Sequence, residues 1–363
     1  MTDQTAYQKA GVDTKAGDLA IELMRQDVLN THKGRVIGGV GGFAGLFDAQ
    51  ALTGYRHPVL ATSTDGVGTK VAIAQALDKH DTIGQDLVAM VIDDIVVVGA
   101  TPLFLTDYIA VGKVHPERIA AIVSGIARAC EASNVAVVGG ETAEHPGLLG
   151  EDEYDVAAAV TGVVEKDDLL GPERVRAGDE VVAVASSGLH SNGYSLARHI
   201  IAQAGISLHD PVPGIAQSVG EVLLEPTLVY TPAMLSVLSE LPGVIHSASH
   251  ITGGGIAQNL QRVLPQGLAL TLERGSWPVP PVFPWLAHQG GLTLNDVEDT
   301  WNLGMGLAVV CAEGSGSKVA AAFERAGNQA WVAGIVQEAQ EGQSAEAAKG
   351  VSGGFVELRG EWS

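Results

Sequence analysis

The sequence predicts a chain of the α/β (α+β) class with two domains. Its 363 residues exceed the roughly 100 to 200 residues of a typical domain. From Val59 onward, short β-branched runs alternate with segments of helical period, which is the pattern of mixed α/β proteins. The polar, turn-rich stretch 165–179 separates two such blocks. We therefore predict an N-terminal domain of residues 1–168, a C-terminal domain of residues 169–340 and a polar tail of residues 341–363.

Short apolar runs predict the strands, at residues 59–64, 103–108, 135–138, 154–164 and 181–185. Residues 116–132 predict a helix, because their apolar side chains share one face and a proline begins the segment. A glycine-rich turn followed by a helix is predicted for residues 251–264. The chain after Val336 is polar and rich in small residues, so we expect it to be poorly ordered.

Charge and cysteine content restrict the possible partners. Acidic residues outnumber basic residues by 42 to 21, which repels phosphate backbones and anionic headgroups and argues against nucleic acid and membranes as partners. Cys130 and Cys311 lack a metal-binding spacing, and the N-terminal residues lack an apolar signal segment. We therefore expect a cytoplasmic protein. An anionic substrate would need help from backbone N–H groups, a metal ion or a few well-placed cations.

The most specific motif is Asp65-Gly66-Val67-Gly68-Thr69-Lys70, which directly follows the strand of residues 59–64. Its glycines let backbone N–H groups approach a ligand, Asp65 can hold Mg²⁺, and Lys70 can neutralise a phosphate. The alternative is a tight β-turn with a solvated aspartate and lysine. The sequence contains no GxxxxGK[ST] string, so a Walker-type NTPase is not supported.

The apolar segment 84–99 is predicted to be a helix whose buried stripe is Leu87, Val91, Ile95 and Val98. Asp94 falls on this stripe, whereas Asp93 lies about 100° away from it. A carboxylate that points into a core is costly unless it is paired or bound to a metal. We therefore predict that Asp94 is a metal or nucleotide ligand. A capped structural aspartate and a stripe that is not buried there are the alternatives.

Two further glycine-rich segments of the first domain are candidates. Gly139-Gly140-Glu141-Thr142 follows a strand, and ligands commonly gather at strand ends in open α/β sheets. Glu141 would supply a second carboxylate for a Mg²⁺ ion that bridges phosphate oxygens. An exposed Glu141 in a plain turn fits the segment equally well. Residues 37–46 include Gly41 and Gly42, and this segment could cover a nucleotide's phosphates or form a flexible linker.

Two loops of the second domain are candidate anion sites. Residues 186–193 follow a strand and precede an amphipathic helix, and their hydroxyls, glycines and helix-start N–H groups suit a phosphate monoester. His190 could donate a hydrogen bond or transfer a proton, and an ordinary loop histidine is the alternative. Residues 250–255 also lead into a helix, and their three consecutive glycines cost folding entropy that a simple turn does not demand.

Together these strings resemble the phosphoribosylformylglycinamidine cyclo-ligase family. The similar strings are DGVGTK at 65–70, GGETAEHPG at 139–147, SSGLHSNGYSL at 186–196, LLEPT at 223–227 and HITGGGI at 250–256. They keep their order and spacing over residues 7–336, which is most of the chain. Selenophosphate synthetase, thiamine monophosphate kinase and phosphoribosylformylglycinamidine synthase are related ATP-using enzymes, but the longer strings favour the cyclo-ligase family.

The resemblance implies an N-terminal mixed sheet that forms a barrel across a homodimer interface, and a C-terminal α/β sandwich domain. It implies ATP and Mg²⁺ as cofactors and a ribotide as substrate. The implied metal ligands are Asp65, Asp94 and Glu141, and the implied catalytic residues are Asp65, Lys70, Asp94 and His190. The implied ATP-binding residues are Gly41, Gly42, Asp65, Gly66, Gly68, Thr69, Lys70, Asp94, Gly139, Gly140, Glu141 and Thr142. The implied substrate-binding residues are Ser187, His190, Ser191, Asn192, Gly193, His250, Thr252, Gly253 and Gly254.

The resemblance also implies a reaction. The formamide oxygen of formylglycinamidine ribonucleotide attacks the γ-phosphate of ATP, and an internal nitrogen then closes the imidazole ring as phosphate leaves. An ATP-dependent kinase of the thiamine monophosphate kinase type is one alternative. A non-catalytic nucleotide-binding subunit is another, since no acid/base pair stands out. The chain departs from the family at Asp93, usually Asn, at His145, usually Met, and in the tail after Val336, which extends past the family's usual end.

Overall fold

The computed structural model describes residues 13–345 and 347–362. These residues divide into two compact units. Unit 1 comprises the residues up to Ile95 together with Thr101–Glu165, and unit 2 comprises Val96–Ala100 together with the residues from Lys166 on. The predicted boundary lay between residues 168 and 169, inside the polar stretch. The short passage of residues 96–100 in unit 2 was not foreseen, because nothing in its composition marks a change of unit.

Unit 1 contains a two-stranded hairpin and a four-stranded sheet. The hairpin pairs β1 (Val36–Ile37) with β2 (Leu46–Phe47). The sheet consists of β3 (Pro58–Gly66), β4 (Thr101–Val111), β5 (Ala136–Glu144) and β6 (Tyr154–Glu165), in the order β3-β6-β4-β5. Only the β4–β5 pair is parallel. The sheet is therefore mixed, as the sequence predicted.

The helices of unit 1 cover one face of this sheet. They are α1 (Thr14–His32), α2 (Val71–Leu77), α3 (Ile83–Val96) and α4 (Pro116–Ala132), with α1 packed on α4 and β5. Leu105 and Ile109 point to this covered face and are fully buried. Leu60 and Tyr108 point to the other face, the open face, and are 60% and 42% exposed. Part of the open face is covered within unit 1, because Phe47 of β2 packs against Phe104 with ring centroids 5.2 Å apart, whereas Leu60 and Tyr108 are left exposed.

Unit 2 is built on a six-stranded sheet in the order β12-β9-β11-β7-β10-β8. Its strands are β7 (Glu180–Ala185), β8 (Ile245–His250), β9 (Leu268–Glu273), β10 (Met305–Cys311), β11 (Ala330–Glu338) and β12 (Phe355–Arg359). Its helices are α5 (Tyr194–Ala204), α6 (Val219–Leu223), α7 (Thr231–Glu240), α8 (Gly255–Gln261), α9 (Val282–Gln289) and α10 (Gly316–Arg325). Apolar residues of β7 and β10 pack with those of α7 and α10 in the core.

Most predicted elements are confirmed, because their apolar periodicity is strong. All five predicted strands occur as β3, β4, β5, β6 and β7, and α4 has the predicted bounds. The expectation of a poorly ordered tail is wrong for its last part. There, Phe355–Arg359 forms a strand that pairs in parallel with β9. The described helices include none that is long and apolar enough to span a bilayer.

Candidate active site

Unit 1 encloses a cavity of about 550 Å³ beside the edge strand β5. One side of its wall is apolar and comes from α1, with Ile21, Met24 and Val28. The rest of the wall includes the loop between β1 and β2, the middle of β5 and residues of β4 and α4. Cavities of this size and mixed polarity commonly bind cofactors and small ligands. The predicted ATP-binding residues that line it are Gly41, Gly42, Gly139, Gly140, Glu141 and Thr142.

The glycine-rich segment forms the hairpin loop between β1 and β2, residues 38–45. Gly38 and Gly41 have φ angles of +92° and +104°, in the left-handed region that favours glycine. Gly45 approaches β5 so closely that a Cβ atom would lie 2.5 Å from the carbonyl oxygen of Val138. The segment is therefore not a linker. Its glycines allow a backbone conformation that shapes the cavity wall.

Asp107 also lines the cavity, and the sequence analysis missed it. It lies on β4 beside Gly140, and the Glu141 N–H donates a hydrogen bond to its carboxylate. Burial raises the pKa of Asp107 to about 7, against the smaller opposing effect of that hydrogen bond. A carboxyl group with such a pKa in a cavity is suited to proton transfer near neutral pH. Asp107 interrupts an apolar strand, so the cost of burying a carboxylate, which singles out Asp94 in the sequence, applies to Asp107 as well.

Gly140→Ala should destabilise the chain by about 1 to 3 kcal/mol, the usual cost of overpacking. The added Cβ would lie 2.0 Å from Oδ1 of Asp107. Gly139→Ala is the matched control, because its Cβ would meet no atom nearer than 4.0 Å, and its effect should stay within about 0.5 kcal/mol. Denaturant unfolding of both variants measures the difference. Equal denaturant midpoints for Gly140→Ala and Gly139→Ala would contradict the close packing of Asp107 on Gly140.

Helix α3, which carries Asp94, is enclosed on almost all sides. Leu87 and Ala89 lie on opposite faces of the helix, and both are fully buried. The prediction of a single buried stripe was therefore wrong. Asp93 is fully buried, whereas Asp94 is half-buried and accepts a hydrogen bond from Ser63 Oγ at 3.4 Å. Asp94 thus lies beside β3 and remains accessible from solvent.

The register of the sheet separates the predicted metal ligands. One row of paired residues runs across β3, β6, β4 and β5 and consists of Asp65, Ala158, Asp107 and Gly140. Asp65 and Asp107 therefore share the covered face. Glu141 belongs to the next row and points to the open face. Over residues 13–345 and 347–362, no three His, Cys, Asp or Glu side chains form a group that could hold a metal ion. The three predicted ligands therefore do not form a preassembled cluster.

Lys70 is enclosed in the interior of unit 1. Its Nζ lies 2.8 Å from Oδ1 of Asp86, and both side chains are fully buried. Lys70 ends the short turn Gly68–Lys70, and Asp86 lies in the first turn of α3. The ion pair therefore joins the end of the DGVGTK motif to the helix that carries Asp94, and the predicted contact of Lys70 with a phosphate stays a prediction. The cavity lining does not include Asp65, Gly66, Gly68, Thr69, Lys70 or Asp94.

The two predicted anion-site loops of unit 2 lie side by side. They connect β7 to α5, residues 186–193, and β8 to α8, residues 251–254. The Gly253 N–H donates a hydrogen bond to Oδ1 of Asn192 at 3.0 Å, which joins the two loops. The structure therefore brings the predicted substrate residues of both loops into one region of unit 2.

The LLEPT string supports the first of these loops. Ser187 Oγ donates a hydrogen bond to the carbonyl oxygen of Pro226 at 2.7 Å. The hydroxyl oxygens of Ser191 and Thr227 are 3.0 Å apart, and both residues are buried. These contacts explain why hydroxyl side chains occupy the loop even where they do not face solvent.

His190 lies inside its loop. It is 1% exposed and adopts a φ angle of +60°, and its Nε2 accepts a hydrogen bond from the Ser187 N–H. Its ring also packs against Tyr230, with centroids 5.9 Å apart. These contacts position the loop, and the roles predicted for His190, a hydrogen-bond donor or a proton-transfer group, stay predictions. His250 is also buried, at the end of β8, where it pairs with Leu307 of β10.

Residues 298–302 form a segment beneath both loops that the sequence analysis did not single out. The indole N–H of Trp301 donates to the carbonyl oxygen of Gly193 at 3.2 Å. The side-chain amide of Asn302 donates to the carbonyl oxygen of Gly188 at 2.8 Å. Trp301 and Gly193 are 108 residues apart in sequence, so no local spacing rule connects them.

Comparison with known proteins identifies the family. The model "AIR synthase related protein, N-terminal domain" matches residues 48–164, and its C-terminal counterpart matches residues 176–345. A phosphoribosylformylglycinamidine cyclo-ligase of Shouchella clausii is 46% identical over 332 residues, which cover 91% of this chain and 95% of the relative. The cyclo-ligase of Geobacillus thermodenitrificans is 47% identical over 334 residues, which cover 92% and 96%. The chain belongs to the phosphoribosylformylglycinamidine cyclo-ligase family.

Membership of this cyclo-ligase family makes the chain a ligase of an ATP-utilising family and confirms the resemblance drawn from its motifs. Solved structures share its fold. A thiamine-monophosphate kinase from Stenotrophomonas maltophilia has a TM-score of 0.64 at 16% identity, covering 95% of this chain and 97% of its own. The hydrogenase maturation protein HypE in complex with ATP has a TM-score of 0.60 at 18% identity, covering 94% and 89%. Because identity with the kinase is so low, the kinase alternative is less supported than the cyclo-ligase assignment.

Proposed function

We propose that the chain catalyses the ATP-dependent cyclisation of formylglycinamidine ribonucleotide to 5-aminoimidazole ribonucleotide in purine biosynthesis, with release of ADP and phosphate. The observation that carries this proposal is the cavity of unit 1, where the glycine-rich hairpin loop meets residues 139–142 of β5. Relatives that are 46% and 47% identical over more than nine-tenths of the chain bear the cyclo-ligase name. The cavity offers a place for ATP, and the name of the relatives gives the reaction.

ATP would occupy this cavity. Met24 and Val28 of α1 provide apolar surface that suits a purine ring, and the glycine-rich loop provides backbone N–H groups that suit phosphates. None of the described residues that line the cavity is Lys or Arg. The negative charge of the triphosphate must therefore be offset by backbone dipoles and by a cation that binds with it.

Magnesium would be held by Asp65 and Asp94. Asp65 is exposed and Asp94 half-buried, and Ser63 of β3 lies next to both. Mg²⁺ usually takes one or two protein carboxylates and completes its shell with water and phosphate oxygens, so a preassembled cluster is not required. When bound, it would offset the charge that develops on the transferred phosphoryl group. Glu141 is the third proposed ligand, although its side chain points to the opposite face of the sheet from Asp65.

Asp107 would act as the proton acceptor. When the formamide oxygen attacks the γ-phosphorus, the bond to ADP breaks, and loss of the formamide N–H proton makes that oxygen a better nucleophile. The amidine nitrogen then attacks the formyl carbon, phosphate leaves and the ring closes. A carboxyl whose pKa is raised to about 7 can accept a proton at neutral pH and release it afterwards. The chain's own contribution is therefore proton transfer and the orientation of both ligands.

The ribotide would bind at the two loops of unit 2. The first turn of α5 directly follows the first loop, and its backbone N–H groups suit a phosphate monoester. His190 and His250 are buried and would position the loops. The proposed contact residues are Ser187, Ser191, Asn192, Gly193, Thr252, Gly253 and Gly254.

A second copy of the chain would cover the open face of the sheet in unit 1 and close it into a barrel. Leu60 and Tyr108 are large side chains exposed on that face, and a partner subunit would bury them. Cys130 and Cys311 are free, buried thiols, as suits the cytoplasm that we propose for this enzyme.

One turnover assay tests the function. The chain is incubated with ATP, Mg²⁺ and formylglycinamidine ribonucleotide, and ADP and the aminoimidazole product are followed together. We expect the two products to form in equal amounts and to vanish when a chelator removes the metal. ADP release with thiamine monophosphate in place of the ribotide would favour the kinase alternative. ATP binding without ADP release in the presence of ribotide would favour a non-catalytic subunit.

A further inference from the structure

The end of the chain forms an additional edge strand of unit 2. β12 pairs in parallel with β9, from Phe355 opposite Ala269 to Arg359 opposite Glu273. The family model of the C-terminal domain ends at residue 345, so this strand lies beyond the residues that match. The tail residues 353–362 lie outside the matched range, and their contacts need an explanation of their own.

The tail is attached at both ends of β12. Before the strand, Gly353 packs so closely on α8 that a Cβ would lie 1.8 Å from the carbonyl oxygen of Gln261. The Gly354 N–H donates to the carbonyl oxygen of Leu264 at 2.9 Å. After the strand, Arg274 donates from NH1 to the carbonyl oxygen of Gly360 at 3.1 Å. Backbone pairing and close packing thus fasten the tail to the helix that follows the triple-glycine loop.

Trp362 joins the tail to an internal ion pair. Arg274 contacts Glu298 through two hydrogen bonds, from Nε at 2.8 Å and NH2 at 2.7 Å. The indole N–H of Trp362 donates to the same carboxylate at 3.1 Å. The Trp362 ring also packs edge-on against Trp277, with centroids 5.2 Å apart. Bidentate Arg–carboxylate pairs have a well-defined geometry, and Trp362 supplies a third donor that holds Glu298 in place.

Glu298 begins the segment that lies beneath both candidate ribotide loops. Its carbonyl oxygen contacts Gly255, where a Cβ would be 1.9 Å away, and Gly255 has a φ angle of +68°. Four residues later, Asn302 donates to Gly188 O in the other loop. A shift of Glu298 would therefore move the support of residues 186–193 and 251–255 together.

We propose that the tail is a brace for the ribotide site, and that Trp362 positions both loops through Glu298. The proposal rests on the proposed function, because it assigns these loops to the ribotide. It makes Trp362 a positioning residue that does not touch substrate. Loss of the brace should weaken ribotide binding and leave the ATP cavity of unit 1 unaffected.

Trp362→Phe tests the brace. Phenylalanine keeps a ring against Trp277 but cannot donate to Glu298. Trp331→Phe is the matched control, since Trp331 stacks on Trp277 from another strand and its indole N–H has no hydrogen-bond partner among the described residues. We expect Trp362→Phe to raise the KM for ribotide about three- to tenfold with little change in kcat or in the KM for ATP, and Trp331→Phe to match wild type.

Amide hydrogen exchange supplies a readout that needs no substrate. Peptides covering residues 250–261 should exchange faster in Trp362→Phe than in wild type or Trp331→Phe, and Glu298→Gln should show the same pattern. Unchanged exchange in Trp362→Phe would overturn the brace even if the enzyme turns over ribotide. Faster exchange in a chain that never turns over ribotide would support the brace and refute the proposed function. An equal rise in the KM for ATP and for ribotide would overturn the assignment of the brace to the ribotide loops.

Discussion

Asp107→Asn should lower kcat by about 100-fold or more while leaving the folded chain at least as stable as wild type. Asparagine has nearly the same shape, so it can pack on Gly140 and accept the Glu141 N–H, but it cannot accept a proton. General acid/base groups typically contribute about 10² to 10⁴ in rate. The measurement is steady-state release of ADP and aminoimidazole product at saturating substrates.

The same variant tests the burial of this acid through the pH dependence of stability. The pKa of Asp107 is about 7 in the folded chain and about 4 in an unfolded one, so the folded state binds the proton more tightly. Its stabilising contribution is therefore complete below about pH 4 and is lost as the pH rises through about 7. In urea unfolding without metal or nucleotide, the free energy of unfolding of Asp107→Asn should therefore increase relative to that of wild type as the pH rises from about 4 to about 7.

Asp81→Asn is the control for the change of one charge. Asp81 is exposed at the surface of unit 1 and pairs with Lys79, so its amide variant should retain wild-type turnover and stability. Near-normal turnover in Asp107→Asn would remove Asp107 from the mechanism. A large loss of stability in that variant would instead make Asp107 a structural residue.

Lys70→Met should destabilise the chain by about 3 to 5 kcal/mol, the usual cost of breaking a buried ion pair from one side. The Asp86 carboxylate is fully buried and would lose the ammonium that lies 2.8 Å away. The double variant Lys70→Met/Asp86→Leu removes both charges and should recover most of the loss. Denaturant unfolding of wild type and of the single and double variants measures the free energies of unfolding that are compared.

The exposed ion pair of Lys79 and Asp81 is the control for the buried pair of Lys70 and Asp86. Lys79 and Asp81 are about half exposed, so Lys79→Met should change stability by less than about 1 kcal/mol. The double variant also distinguishes the two roles considered for Lys70. If Lys70 only holds the motif against α3, the KM for ATP in the double variant should stay within about threefold of wild type. A far larger increase would restore the predicted contact with phosphate.

Local patterns predicted the elements well because their causes are local. The strands β3 to β6 of unit 1, β7 of unit 2 and the bounds of α4 follow from β-branched runs, apolar period and a proline at the helix start. The motif strings also sufficed for the family, since relatives match over more than nine-tenths of the chain. The tail was misjudged because its composition is polar, whereas β12 is ordered by hydrogen bonds to β9.

The candidate site was predicted only in part, because periodicity cannot assign the direction of a single side chain. The segment 84–99 reads as amphipathic, yet α3 is buried on opposite faces, so the apolar stripe does not distinguish Asp93 from Asp94. Lys70 looked like a phosphate ligand in its motif, but its partner, Asp86, is 16 residues away in sequence. Trp301 and Trp362 could not be found at all, since their contacts are entirely long-range.

The class of fold, the family and the set of residues from which the site is drawn could be predicted, because they depend on the order of residue types along the chain. Which carboxylates share a face could not, because it depends on how distant strands pair. Asp65 and Asp107 fall in one row across three strands, while Glu141 points to the other side of the sheet. The physical reason is strand register: a shift of one residue reverses the face, and register is set by pairing between distant segments.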